Sequence, residues 1–320
     1  MELAFSNLLP ELIFSAVEKC GGRCTGYLLQ LNAMENRVYD VEMEDHSHRV
    51  VKFYRPGRWS REIIEAEHNF LITAAKHEIP VVTPIANEDG KTVGEVEGIY
   101  YGVFPKMAGR LEGELDLERL RRLGRYLAQL HNIGAGFNKV ARPDLNANTF
   151  GRAALEILLR EGVIPTNFRP LYSKLVEQIC VITESLFKEV TPILLHGDCH
   201  VGNLLWQGEQ PFFIDFDDML YAPQVQDIWM LIGGNDSFAK DNLEVLLASY
   251  ETFRKFERSQ LKLIEPLRAL RIINFSAWIA LRRTDQSFVR TFPLFGSDQY
   301  WNEQIESLHS IIERIENLQY

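Results

Sequence analysis

Residues 194–218 read LLHGDCHVGNLLWQGEQPFFIDFDD, and this segment constrains the fold more than any other. Two apolar stretches, Leu204-Leu205-Trp206 and Phe212-Phe213-Ile214, flank a turn at Gly208. Short apolar runs bounded by turn residues read as buried strands. Asp198 and Asn203 precede the first run; Asp215, Asp217 and Asp218 follow the second. A hairpin between Asn203 and Asp215 brings both to one edge of a small sheet, within reach of the same ions.

Upstream, the chain reads as strand-rich. Residues 26–31 and 37–42 form two strands joined by the loop 32–36, and 49–54 (RVVKFY) is a third, rich in β-branched and aromatic residues. A helix follows over Arg61–Lys76, with Ser60 as its N-cap and Ile63, Ile64, Phe70 and Leu71 on one stripe. Pro80 and Pro84 bracket a linker, and strands over 91–97 and 99–104 complete a small sheet. From Pro105 the periodicity turns helical. Residues 117–132 place Leu117, Leu120, Leu123, Leu127 and Leu130 on one face, and helical patterns recur over 169–188, 239–256, 260–283 and 298–317. The expected fold is therefore α+β and bilobal: a β-rich lobe over 1–104, a mainly helical lobe over 105–320, and a hinge near Phe104-Pro105-Lys106. Such layouts place a site in the cleft between lobes.

Composition narrows the function. The chain has 320 residues, enough for one large domain or two lobes. Its 46% apolar and 24% charged residues suit a globular protein, not a disordered one. A net charge of -10 argues against a duplex nucleic-acid partner, which needs a basic face. No apolar run reaches the roughly 18 residues of a membrane span. The opening Met1-Glu2 lacks the basic and apolar regions of a leader. With only four cysteines (Cys20, Cys24, Cys180 and Cys199) and no second Cys or His pair at zinc spacing, reduced thiols and a cytoplasmic location are expected.

The hairpin's polar ends fit phosphoryl transfer. That chemistry needs a carboxylate to orient the attacking hydroxyl and take its proton. It also needs an amide oxygen and a second carboxylate to hold Mg²⁺ against nucleotide phosphates. The spacing resembles that of protein kinases, where His-x-Asp is followed five residues later by Asn and then by an Asp on the next strand. Here HGD stands for HRD and DFD for DFG, substitutions found in the aminoglycoside and choline kinase group. The resemblance assigns a phosphate-binding lysine to Lys52 and its carboxylate partner to Glu67, with Glu62 and Glu65 as alternatives. No GxGxxG occurs. The loop LNAMENRVY stands in its place, with Asn32 or Asn36 shaping the turn and backbone amides available to phosphate. Ala33, Asn36 and the hinge residue Phe104 complete the candidate nucleotide contacts.

Several longer stretches carry a narrower resemblance: KFYRPGRW, PVVTPI, LGRYLAQLH, HGDCHVGN, VQDIWML and IEPLRALR. Together, from about residue 5 to past 300, they resemble the bacterial stress response kinases, a branch of the aminoglycoside phosphotransferase-like kinases. The resemblance implies a monomeric, cytoplasmic serine/threonine protein kinase that uses ATP and Mg²⁺, phosphorylates itself and protein substrates, and serves survival under stress. It also implies Asp198 as proton acceptor, Asn203 and Asp215 as Mg²⁺ ligands, and Asp215 as a catalytic residue. One position departs from the pattern. The related loop commonly reads Leu-Asn-Ser, and Ala33 lacks that hydroxyl.

Two rival readings use the same residues: a kinase for an amino alcohol, sugar or antibiotic, and a nucleotide-binding scaffold without catalysis. By resemblance to kinase-like lobes, Asp227 is expected to brace the catalytic loop by accepting backbone hydrogen bonds, and His131 to brace the region near it. Trp206, Trp229, Trp278 and Trp301 are expected in the core.

Overall fold

Side-chain alternation builds the first sheet of this computed structural model, which describes residues 5, 7–234 and 237–317. Met1 and Glu2, on which the leader expectation rests, lie outside them. Strands β1 (Cys24–Leu31), β2 (Arg37–Met43), β3 (His48–Phe53), β4 (Val93–Val96) and β5 (Ile99–Pro105) pair antiparallel in the order β1-β2-β3-β5-β4. On β3, Val51 and Phe53 are fully buried, and Lys52 between them projects from the opposite face. Helix α1 (Pro10–Glu18) packs Ile13, Ala16 and Val17 onto Val41, Met43, Val51, Phe53 and Val103. Burying a side chain of this size contributes about 1.5–3 kcal/mol. This helix was not expected: a nine-residue run opened by Pro is too short for its periodicity to stand out.

Helix α2 (Arg61–Lys76) has the bounds read from sequence, although the Ser60 side chain at its N-cap makes no capping hydrogen bond. Its buried face includes two polar residues, Glu67 and His68. The His68 ring lies beneath Gly102 of β5, where an added Cβ would sit 2.9 Å from it. Its nitrogens meet the Tyr54 hydroxyl at 3.0 Å and Thr92 Oγ1 at 2.9 Å. Burial first, and the nearby Lys52 charge second, push its pKa down to about 3.

The strand β6 (Arg110–Leu111) precedes helix α3 (Leu117–Gly136), which the Asp116 side chain caps by accepting from Arg119 N at 2.8 Å. Leu120, Leu123, Leu127 and Leu130 are buried as expected. Leu117, in the first turn of the same stripe, is 47% exposed and does not join the buried face. Helices α4 (Ala153–Arg160) and α5 (Arg169–Phe187) follow, and then strand β7 (Ile193–Leu195). The expected hairpin is β8 (Leu204–Gln207) and β9 (Gln210–Phe213), with Gly208 at φ 59° in its turn. It forms a sheet in the order β6-β8-β9. The stretch expected as a linker is tied to this sheet: Phe213 N donates to Pro80 O at 2.9 Å, and Val81 bridges Phe213. The remaining elements are β10 (Leu220–Ala222), α6 (Val225–Ile232), α7 (Ser237–Tyr250), α8 (Ile264–Ala280), α9 (Gln286–Thr291) and α10 (Asp298–Asn317). The fold is α+β.

The chain divides into two compact units. One comprises residues up to Arg142, Asp198–Met219 and Met230–Lys255. The other comprises Pro143–Gly197, Leu220–Trp229 and the residues from Phe256. In the second, a π-helix over Ala147–Arg152, capped by Asn146, packs with α4, α5 and α8, while β7 pairs antiparallel with β10. Trp301 of α10 is fully buried there and donates to Val163 O at 2.9 Å. Trp206 and Trp229 are buried and Trp278 half-buried. Among the described residues no helix is long and apolar enough to cross a membrane.

Two tests follow from this packing. Gly124 brings α3 so close to α7 that an added Cβ would lie 2.4 Å from Leu246 O. Gly124→Ala should destabilise the first unit by about 1–3 kcal/mol, read as a lowered melting temperature; an unchanged one would refute the close approach. For His68, the folded protein keeps the ring neutral down to about pH 3, whereas the unfolded chain takes a proton near its ordinary 6.5. Unfolding therefore binds a proton in that window, and stability falls as pH falls through it. His68→Gln should flatten the melting temperature between about pH 6.5 and pH 4; curves parallel to wild type would count against a buried neutral ring.

Candidate active site

The β8–β9 hairpin sets two of the expected residues side by side. Asn203 ends the 3-10 turn Val201–Asn203 that leads into β8, and its carbonyl accepts Ile214 N at 3.1 Å. Asp215, one residue beyond Ile214, has a left-handed backbone (φ 62°, ψ 63°). That conformation is costly for most residues and is tolerated by Asp. The next residue, Phe216, is buried with its ring 6.0 Å from Phe70 of α2, which anchors the turn.

Asn203 also links back to Asp198. Its side-chain amide donates to Asp198 O at 2.9 Å and lies 3.5 Å from Asp198 Oδ2. That turns the amide oxygen the other way. His200 lies on the same carboxylate, Nε2 to Oδ2 at 3.5 Å, while its Nδ1 accepts Gly202 N at 3.0 Å. In the second unit, Asp227 is fully buried and accepts His196 N at 3.0 Å and Gly197 N at 2.9 Å. These are the two residues before Asp198 in the chain, so the expected brace is present. His131 contacts the Tyr250 hydroxyl at 2.8 Å, tying α3 to α7.

Lys52 reaches this group from β3, where it pairs in register with Val38 and Gly102. Its ammonium lies 2.7 Å from Asp215 Oδ1 and 2.5 Å from Asp217 Oδ1. Burial by itself would discharge the lysine, but Asp215, Asp217 and Glu67 outweigh it and hold its pKa well above the ordinary value. For Asp217, burial is opposed by Lys52 and Arg58, and the net pKa is lowered.

The partner expected for Lys52 is differently engaged. Glu67 is buried, and its ion pair is with Arg142, at 3.2 Å. Arg142 in turn donates to the Asp217 carbonyl at 2.6 Å. The physical reason is proximity: two carboxylates from the 215–217 turn already occupy the lysine, and the buried guanidinium needs an anion of its own. Burial first, and then the like charge of Asp217, push the Glu67 pKa up to about 7 against Lys52 and Arg142. Glu62 is exposed, and Glu65 lies 4.0 Å from Arg61.

The loop 32–36 is bound to the same turn. Asn36 Nδ2 donates to Asp217 Oδ2 at 2.5 Å, and Asn36 Oδ1 accepts Arg55 N at 3.1 Å. Glu35 pairs with Arg55 at 2.9 Å and with Arg58 at 3.6 Å, and Arg58 pairs with Asp218. Ala33 is half-buried in the loop. Phe104, half-buried opposite Val50, sets its ring edge-on to His68 at 5.5 Å. Sequence reasoning missed Arg142, Arg58 and the pairing of Asp217. The RPGRW stretch marked Arg58, but Arg142 carried no local signal.

The donor set suits a hard divalent cation bound with few protein ligands. Asn203 and Asp215 supply oxygens, and the Asp215 side chain is 54% exposed. Among the described residues no three His, Cys, Asp or Glu side chains form a cage. Such a site leaves coordination to water and phosphate, as Mg²⁺ prefers. Negative charge is crowded here: burial, then Asp217, Asp198 and Asp215, raise the Asp218 pKa against the opposing pull of Arg58.

A sequence profile of the phosphotransferase enzyme family matches residues 29–264. Stress response kinase A of Escherichia coli K12 is 35% identical over 94% of this chain and 91% of its own. Serine/threonine protein kinase RdoA of Salmonella typhimurium LT2 matches at the same identity and coverage. Among solved structures, the amicoumacin kinase hAmiN, in complex with AMP-PNP, Ca²⁺ and Ami, superposes with a TM-score of 0.75 at 18% identity, covering 95% of this chain and 93% of that one. On both fold and sequence, this chain belongs to the phosphotransferase enzyme family, with stress response kinase A among its relatives.

Proposed function

We propose that this protein is an ATP-dependent serine/threonine protein kinase, acting in the cytoplasm of a bacterium under stress. The observation that carries the reading is the meeting of Lys52 with Asp215 on the hairpin that also presents Asn203 and, beside it, Asp198. Residues 1–104 serve as the nucleotide-binding portion and 105–320 as the catalytic and substrate portion. Lys52 binds the nucleotide phosphates, and the 32–36 loop with Ala33 and Asn36 covers them. Phe104 lies at the adenine end. Asn203 and Asp215 would hold Mg²⁺, which supplies charge neutralisation at the phosphates. Asp198 orients the acceptor hydroxyl and takes its proton. A bond forms between that oxygen and the γ-phosphorus, the bond from the γ-phosphorus to its bridging oxygen breaks, and ADP leaves with the electron pair. Positioning and electrostatics provide most of the acceleration.

The relative named serine/threonine protein kinase RdoA supports a protein acceptor. A second reading, a small-molecule kinase, draws on the amicoumacin kinase that shares the fold. Incubating the purified protein with labelled ATP, Mg²⁺ and cell lysate separates them: label on protein Ser or Thr supports the first, and label only on metabolites the second. Asp198→Ala should lower turnover by about 10³-fold or more while leaving MgATP binding within a few-fold of wild type. Near-normal phosphate transfer by this variant would remove Asp198 from its role. Failure of MgATP to raise the melting temperature of the wild type at saturation would leave the protein as a scaffold.

A further inference from the structure

Two carboxylates meet Lys52, and their surroundings fit them for different work. Asp215 is 54% exposed on its side chain, open to an ion in solution; Asp217 is only 5% exposed. Asp217 Oδ1 lies 2.5 Å from the Lys52 ammonium as an ion pair, Oδ2 accepts from Asn36 at 2.5 Å, and Arg58 is 3.8 Å away. Its backbone is gripped as well, through the 2.6 Å hydrogen bond from Arg142 to its carbonyl. Arg142 is itself fully buried between that carbonyl and Glu67. A carboxylate so enclosed is poorly placed to ligate a cation but well placed to fix the direction of a neighbouring charge.

A lysine's long side chain carries much rotamer entropy, and its flexible stem gives no direction of its own. Something must aim it, and the α2 glutamate that resembles the usual partner is spent on Arg142. We propose that Asp217 is the positioning residue for Lys52, and that Asn36 ties the 32–36 loop to the same carboxylate so that loop and lysine are set as one unit. Glu67 acts one step further back, steadying Asp217 through Arg142. With Asp217 as anchor, Lys52 stays oriented when Asp215 is engaged elsewhere. This inference rests on the reading of Lys52 as the phosphate-binding lysine.

A mutant cycle on the full chain tests it. The kcat/KM for MgATP is measured by label transfer for wild type, Lys52→Met, Asp217→Asn, the double variant and Glu67→Gln, with melting temperatures alongside. Asp217→Asn and Lys52→Met should each lower kcat/KM by about tenfold or more, the scale of one charge-assisted contact. The double variant should be no worse than Lys52→Met alone, because Asp217 acts through Lys52. Glu67→Gln should lose less than Asp217→Asn. An Asp217→Asn variant with wild-type kcat/KM, or losses that multiply fully in the double variant, overturns the proposal while leaving the kinase reading intact. Absence of phosphate transfer by the wild type would instead sink the kinase reading and this inference with it. If Asp217→Asn does not fold, Asn36→Ala in the same cycle carries the test: a loss coupled to Lys52→Met supports the unit, and an independent loss refutes it.

Discussion

The buried pairing of Lys52 with Asp217 is the constraint around which the first unit is organised. Removing a charge from water costs several kcal/mol per ion, and only a close partner of opposite sign offsets it. Lys52, Arg58 and Arg142 supply positive charge; Asp215, Asp217, Asp218, Glu35 and Glu67 answer it. Removing a buried member such as Lys52, Asp217 or Arg142 leaves its partner with less compensation. The cluster therefore draws β3, α2, the 32–36 loop, Arg142 and the turn after β9 to one point. Asn36 and Asp217 meet across 181 residues of sequence.

Around that point the scaffold is conventional. Apolar residues of β8 and β9 hold the hairpin, Phe216 pins the turn against α2, and Asp215 takes a left-handed backbone that sends its carboxylate back toward Lys52. In the second unit, Asp227 fixes the backbone just before Asp198. Rigid elements thus carry the polar groups, and short turns present them. The fold does not choose the acceptor, since relatives and structural neighbours with the same architecture are named for different substrates.

Much of this was legible locally. Period-two alternation marked β3 and with it Lys52, helical periodicity marked α2 and its buried face, and the apolar-turn-apolar pattern marked β8 and β9. These signals depend on neighbours within one turn or one pleat. The misses have a common cause. Helix α1 is stabilised by the sheet it covers rather than by its own nine residues, Leu117 sits on the apolar stripe but beyond the core's edge, and Ser60 occupies a cap position without its hydrogen bond.

The sequence alone determined the strands of the first sheet, helices α2 and α3, the β8–β9 hairpin and the residue types gathered near residues 198–218, because all follow from local periodicity and spacing. Only the tertiary structure decided which carboxylate meets which cation. Glu67, Asp215 and Asp217 are chemically near-equivalent acids, and the choice among them turns on burial and on distances of a few ångströms between segments far apart in the chain. Lys52 goes to the two aspartates, and Glu67 to Arg142, because that leaves each of these enclosed charges with an opposite at hand.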